Sequence, residues 1–196
     1  MKKFLLIVLM AFLAGIAIQA QQVIDAATIS EHNGLMYING EANPFTGTAI
    51  RWFKLGQKQI ESNYLNGKLN GIEITYNGSG GKFMEVTYIN GEFNGPYRQW
   101  YPDGQIEMEK VYAGGMMNGL STHWYNNGQK ENEGVYFNCR EKGRWIFWFE
   151  NGQKMKEGEF KEGFEDGKWT FWAEKGNEIK EVVFKDGEQV SEKILK

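Results

Sequence analysis

Through most of the chain, short runs of alternating apolar and polar residues are cut by glycine at close intervals. One stretch shows the pattern. Pro96 to Tyr101 is rich in aromatics, Pro102-Asp103-Gly104 interrupts it, and a second run from Gln105 to Tyr112 ends in another glycine-rich turn. Runs of this length bounded by turn residues predict strands, and a strand–turn–strand–turn succession predicts one β-hairpin joined to the next. The interrupting triplets suit a type I turn whose third residue takes positive φ, where glycine has no Cβ to clash. A helical reading fails on the same glycines, each of which would cost a helix interior ~1 kcal/mol.

The pattern repeats every 24 residues. Trp52, Tyr76, Trp100, Trp124, Trp148 and Trp172 keep that interval, as do Gly56, Gly80, Gly104, Gly128, Gly152 and Gly176. Tyr64, Tyr88, Tyr112, Tyr136, Phe160 and Phe184 form a third register, and Gly47, Gly71, Gly95, Gly119, Gly143 and Gly167 a fourth. Fixed self-similarity of this kind marks a repeat architecture. The expected fold is all-β: an elongated, single-layer antiparallel meander of six hairpin units over residues 37–190, after a lead-in at 21–36 and before a charged tail at 191–196. On one face of this sheet the Trp column is expected to interleave with the Tyr/Phe column. Period-two alternation then puts Tyr97, Trp145, Phe147, Trp169, Phe171, Tyr101, Tyr125 and Phe149 on the opposite face.

Composition changes the picture in three places. The first twenty residues run from Lys2 and Lys3 through an uncharged Phe4–Ile18 to Ala20. That is the order of a cleaved secretory signal, too short to span a bilayer comfortably. Export and cleavage after Ala20 are expected, with the protein periplasmic or secreted; losing two lysines takes the net charge from −3 to −5. A single cysteine, Cys139, rules out an internal disulfide, so packing and backbone pairing must supply stability. Finally, no basic stripe points to nucleic acid.

The residues carry a family resemblance. YINGEFNG followed by WYPDGQ, and YLNGKLNG with a weaker TYNGSGG, resemble the MORN repeat in its bacterial variant form, and NGLMYINGEANPFTG resembles the opening of such arrays. The likeness covers about residues 34 to 190. It implies an elongated antiparallel sheet serving as a scaffold for protein contacts or self-association, with lipid binding in some members and an antitoxin or immunity role in some bacterial ones. Two departures stand out: Cys139 replaces a turn glycine, and the unit starting at Tyr37 carries three extra residues before Gly47.

Candidate chemistry is sparse. Glu61, Glu85, Glu109, Glu133, Glu157 and Glu181 recur at the same interval. Recurrence in every unit is what a structural role predicts, with each carboxylate capping a turn or pairing with a lysine such as Lys110 or Lys130. His32 and His123 stand far apart and, with one cysteine, assemble no zinc set. Ser121 and His123 share a strand face but lack a positioned acid, so they read as a solvated strand. No catalytic residue, metal site or cofactor is assigned. The expected function is binding of a protein partner, or self-association, through exposed aromatics, with Trp145, Phe147, Trp169, Phe171, Tyr97 and Tyr125 as the cluster. A toxin partner, and a glycan or lipid-headgroup ligand for the same aromatics, are the alternatives.

Overall fold

The computed structural model describes residues 22–195; the proposed signal at 1–20 lies outside them. Seventeen strands follow one another: β1 Val23–Asp25, β2 Ile29–His32, β3 Leu35–Ile38, β4 Gly47–Trp52, β5 Lys58–Leu65, β6 Lys68–Leu69, β7 Gly71–Tyr76, β8 Lys82–Ile89 and β9 Glu92–Trp100. They continue as β10 Ile106–Ala113, β11 Met116–Trp124, β12 Lys130–Phe137, β13 Arg140–Trp148, β14 Lys154–Lys161, β15 Phe164–Trp172, β16 Glu178–Lys185 and β17 Glu188–Ile194. From β4 to β17 each strand pairs antiparallel with the next, with the two-residue β6 beside β5, giving one open meander.

Two kinds of turn alternate along it, and each is written in the sequence. In the first, the Gly104 amide donates to the Tyr101 carbonyl and the Tyr101 amide to the Gln105 carbonyl, with Gly104 at φ +91°. Pro102 presets the first central φ, and the Asp103 carboxylate accepts from the Gln105 amide. The second is a two-residue turn with both central residues at positive φ, as in Asn90 (+53°) and Gly91 (+88°), the type I′ geometry that matches strand twist. Cys139 occupies the glycine position of one such turn at φ +63°. These tips are also stitched together. The amides of Gly67, Gly91, Gly115, Cys139, Gly163 and Gly187 donate to the carbonyls of Phe45, Leu69, Phe93, Met117, Glu141 and Glu165 in the preceding tip.

The array begins and ends differently from expectation. β2 and β3 form a separate hairpin docked on the first tip, where the Met36 amide donates to the Gly67 carbonyl, and Phe45 is buried beneath it. β1 runs parallel to β4 and covers that edge of the sheet. At the other end the expected charged tail is mostly strand, since β17 continues to Ile194.

The Trp and Tyr/Phe columns lie on opposite faces, which corrects the interleaved arrangement. Tyr112 packs on Phe93 with ring centroids 5.2 Å apart, and Tyr136 on Trp145 at 5.2 Å. Trp100 instead shares a face with Glu85 and Arg98, with the Lys82 ammonium 5.4 Å from its ring. Each hairpin turn consumes residues that do not advance along a strand, so a 12-residue offset in sequence does not preserve facing.

Candidate functional site

The two faces differ in chemistry. On the first, the central row alternates acids with their partners across strands: Glu85, Arg98, Glu109, Thr122, Glu133, Ile146, Glu157, Thr170, Glu181. All six recurrent glutamates are paired. Lys58 holds Glu61, Lys82 and Arg98 hold Glu85, and Arg98 also reaches Glu109 at 2.7 Å. Lys130 holds Glu133, Lys154 and Arg144 hold Glu157, and Lys168 holds Glu181. Burial alone would push the Glu85 and Glu157 carboxyls up. The hydrogen bonds and charges of their lysine and arginine partners outweigh it, leaving both below the ordinary glutamate range. Lys130 is the partner expected; Lys110 lies on the other face. The Trp column sits alongside, half-buried under lysines: Lys130 over Trp148 and Lys154 over Trp172, at 5.8 and 5.2 Å. Trp52, at the start, is 43% exposed.

The second face is a sheet of rings. Trp145 and Trp169 are 4% and 0% exposed, so the two tryptophans expected to present a docking surface are core residues. The reason is a matched glycine. A Cβ on Gly134 would stand 2.0 Å from the Trp145 ring, and one on Gly158 2.2 Å from that of Trp169. Each indole lies flat over bare backbone, with its Nε1 donating to the Val135 or Glu159 carbonyl. Phe147 and Phe171 are half-buried beside them, and Lys156 lies 4.7 Å from the Phe147 and Trp169 rings. Tyr97 is half-buried against Tyr112. Tyr101 and Tyr125 fall just past strand ends, and their hydroxyls donate to the Trp124 and Trp148 carbonyls of the next unit. The structure gathers Trp145, Phe147, Trp169 and Phe171 into one cluster, with Tyr97 apart and Tyr125 at a turn.

Sequence reasoning overlooked an exposed apolar surface on the acid-bearing face. Ile72, Val111, Leu120 and Val135 lie in one row, and Leu65, Ile89, Met116 and Phe137 in the next, nearer the type I′ tips. These eight are between 37% and 52% exposed. Beyond β12 the same rows carry Arg144, Glu159, Lys161 and Lys168, and the exposed apolar residues Phe164 and Val183 stand singly among these charges. The signal was available as non-recurrence: these columns mix apolar with polar or charged residues from unit to unit, and their apolar members gather most closely on β10 to β12.

The profile of the family described as "MORN repeat variant" matches residues 93–113, 117–138 and 141–162. Residues 93–162 carry three tandem MORN repeats. The matched segments coincide with the hairpins β9–β10, β11–β12 and β13–β14, each closed by a turn of the first kind, with the type I′ tips falling at the junctions between segments. Hairpins of the same 24-residue period extend the meander on both sides. Among solved structures, a chain titled "Crystal structure of GtfA/B complex bound to UDP and GlcNAc" aligns at 11% identity and a TM-score of 0.19, covering 83% of this chain and 29% of that one. A likeness that low carries no argument. No curated protein matches.

Proposed function

We propose that this MORN-repeat chain is an exported, non-catalytic scaffold that docks a separate protein on the apolar half of its acid-bearing face. The supporting observation is the row Val111, Leu120 and Val135 on adjacent strands, flanked by Met116 and Phe137, with Ile72, Leu65 and Ile89 further along the same face beyond Pro96, Thr87 and Glu92. Each of these eight apolar residues is left more than a third exposed. A cluster of large apolar side chains left in water marks a contact surface. The charged end of the same face, with Arg144, Glu159 and Lys168, gives the surface a boundary and a partner a register. The Lys2–Ala20 pattern supports export.

A photo-crosslinking residue placed at 120 should capture one protein stoichiometrically in the producing cell, whereas the same residue at 168 should not. Val111→Glu should abolish the adduct at unchanged thermal stability. Equal capture at both positions, or an adduct made only of two copies of this chain, defeats the reading. The export half is tested separately by mass spectrometry, with the mature chain expected to begin at Gln21.

A further inference from the structure

A repeat protein advertises a site by breaking its own pattern. On the ring face, two successive units place glycine, tryptophan and phenylalanine at equivalent positions: Gly134, Trp145 and Phe147, then Gly158, Trp169 and Phe171. One unit earlier the same three positions are Lys110, Ser121 and His123. Across the strands the row reads Tyr97, Lys110, Ser121, Gly134, with Trp145 seated over Gly134. The wall of rings is therefore interrupted by a polar notch with an aromatic on either side.

The polar groups in the notch are idle. The Ser121 Oγ is fully buried and has no hydrogen-bond partner, which for a hydroxyl costs ~1–3 kcal/mol. Among the described residues the side chains of Lys110, His123 and Asn132 make no hydrogen bond or ion pair either, although nearly every lysine near the glutamate row is paired. A cavity of about 220 Å³ opens over Lys110, His123 and Asn132, walled by Tyr136, Trp145 and Phe147. Burial lowers the Lys110 ammonium and, together with the Lys110 charge, the His123 imidazole from their ordinary values. A half-buried ammonium that makes no ion pair favours an anion brought beside it.

We propose that this notch binds a small monocarboxylate with a flat apolar body, its carboxylate on Lys110 and its body against Trp145 and Phe147. The wall selects the charge. Glu141 also lines the cavity, bound by the Tyr136 hydroxyl at 3.0 Å, and would repel a second negative charge such as a phosphate dianion carries. The volume suits a molecule of about ten heavy atoms, below the ~300 Å³ of a drug-sized pocket.

Sodium benzoate titrated into the mature protein, followed by amide NMR, tests this. Benzoate should bind with a dissociation constant at or below ~1 mM, as expected for an efficient fragment, and should shift the Lys110, Ser121 and His123 amides. Benzyl alcohol, with the same ring and no charge, and inorganic phosphate should each bind at least ~tenfold more weakly. Lys110→Met should weaken benzoate by the same factor. The triple variant Lys110→Gly, Ser121→Trp, His123→Phe copies the next unit, so it should fold and bind none. Benzoate without shifts in the notch, equal binding of the uncharged ring or of phosphate, or undiminished binding by the triple variant overturns the proposal.

Discussion

At the scale of single residues, stability rests on how rings meet backbone. Trp169 is fully buried in a protein one sheet thick because Gly158 lets the indole lie against the strand. Burial of a side chain that size outweighs any one of the exposed ion pairs, each worth ~0.2–1 kcal/mol. Gly158→Ala should therefore cost ~1–3 kcal/mol by overpacking. The decisive measurement is a urea-denaturation cycle with Trp169→Ala. The alanine at 158 clashes only while the indole is present, so the double variant should lose less than the sum of the two singles. Strict additivity would show that the glycine serves the backbone and not the ring. This pairing was hidden in the sequence. Gly134 and Gly158 belong to neither glycine column and are not among the positive-φ glycines, and only a neighbour on the next strand explains them.

At the scale of strands and turns, the sequence was far more legible. The glycine columns named the turns, and Gly104 and Gly91 take the positive φ that their turn types require. What a one-dimensional pattern did not supply was facing across a turn, and so the Tyr/Phe column was set beside the wrong neighbours. The glutamate column shows the limit from the other side: its recurrence was visible, its lysine and arginine partners only in part. Those pairs make the sheet sensitive to acid. A carboxylate whose folded pKa lies below its unfolded value adds stability above ~pH 4.3 and loses it as pH falls through the lower folded value. Glu85, Glu157 and Glu181 all shift in that direction. Glu85→Gln with Glu157→Gln should lower the urea midpoint at pH 7 and leave it close to the parent's at pH 2, where both proteins have lost the ionised partners. An equal deficit at the two pH values would mean that the glutamates act through packing alone.

At the scale of the whole molecule, contacts among the described residues run chiefly between adjacent strands, so the chain behaves as a one-dimensional array. Its ends are treated unequally: β1 and the β2–β3 hairpin cover one, while β17 is exposed along its length. Its middle is where the pattern breaks, with the polar notch on one face and the last of the apolar rows on the other, both within β10 to β12. Deleting residues 111–134 removes one full period and joins Lys110 to Val135, which keeps every column in register. The shortened chain should remain folded, with cooperative melting and near-parent β-sheet circular dichroism per residue, because turns and backbone pairing are kept. It should melt lower, since Lys110 takes the place of Gly134 beneath the Trp145 ring. Its unfolding m-value should fall roughly in proportion to the surface removed. The same deletion discards Ser121 and His123, so benzoate binding should vanish while the array persists. Loss of the fold would mean instead that the middle unit is a keystone and that the repeats are not interchangeable.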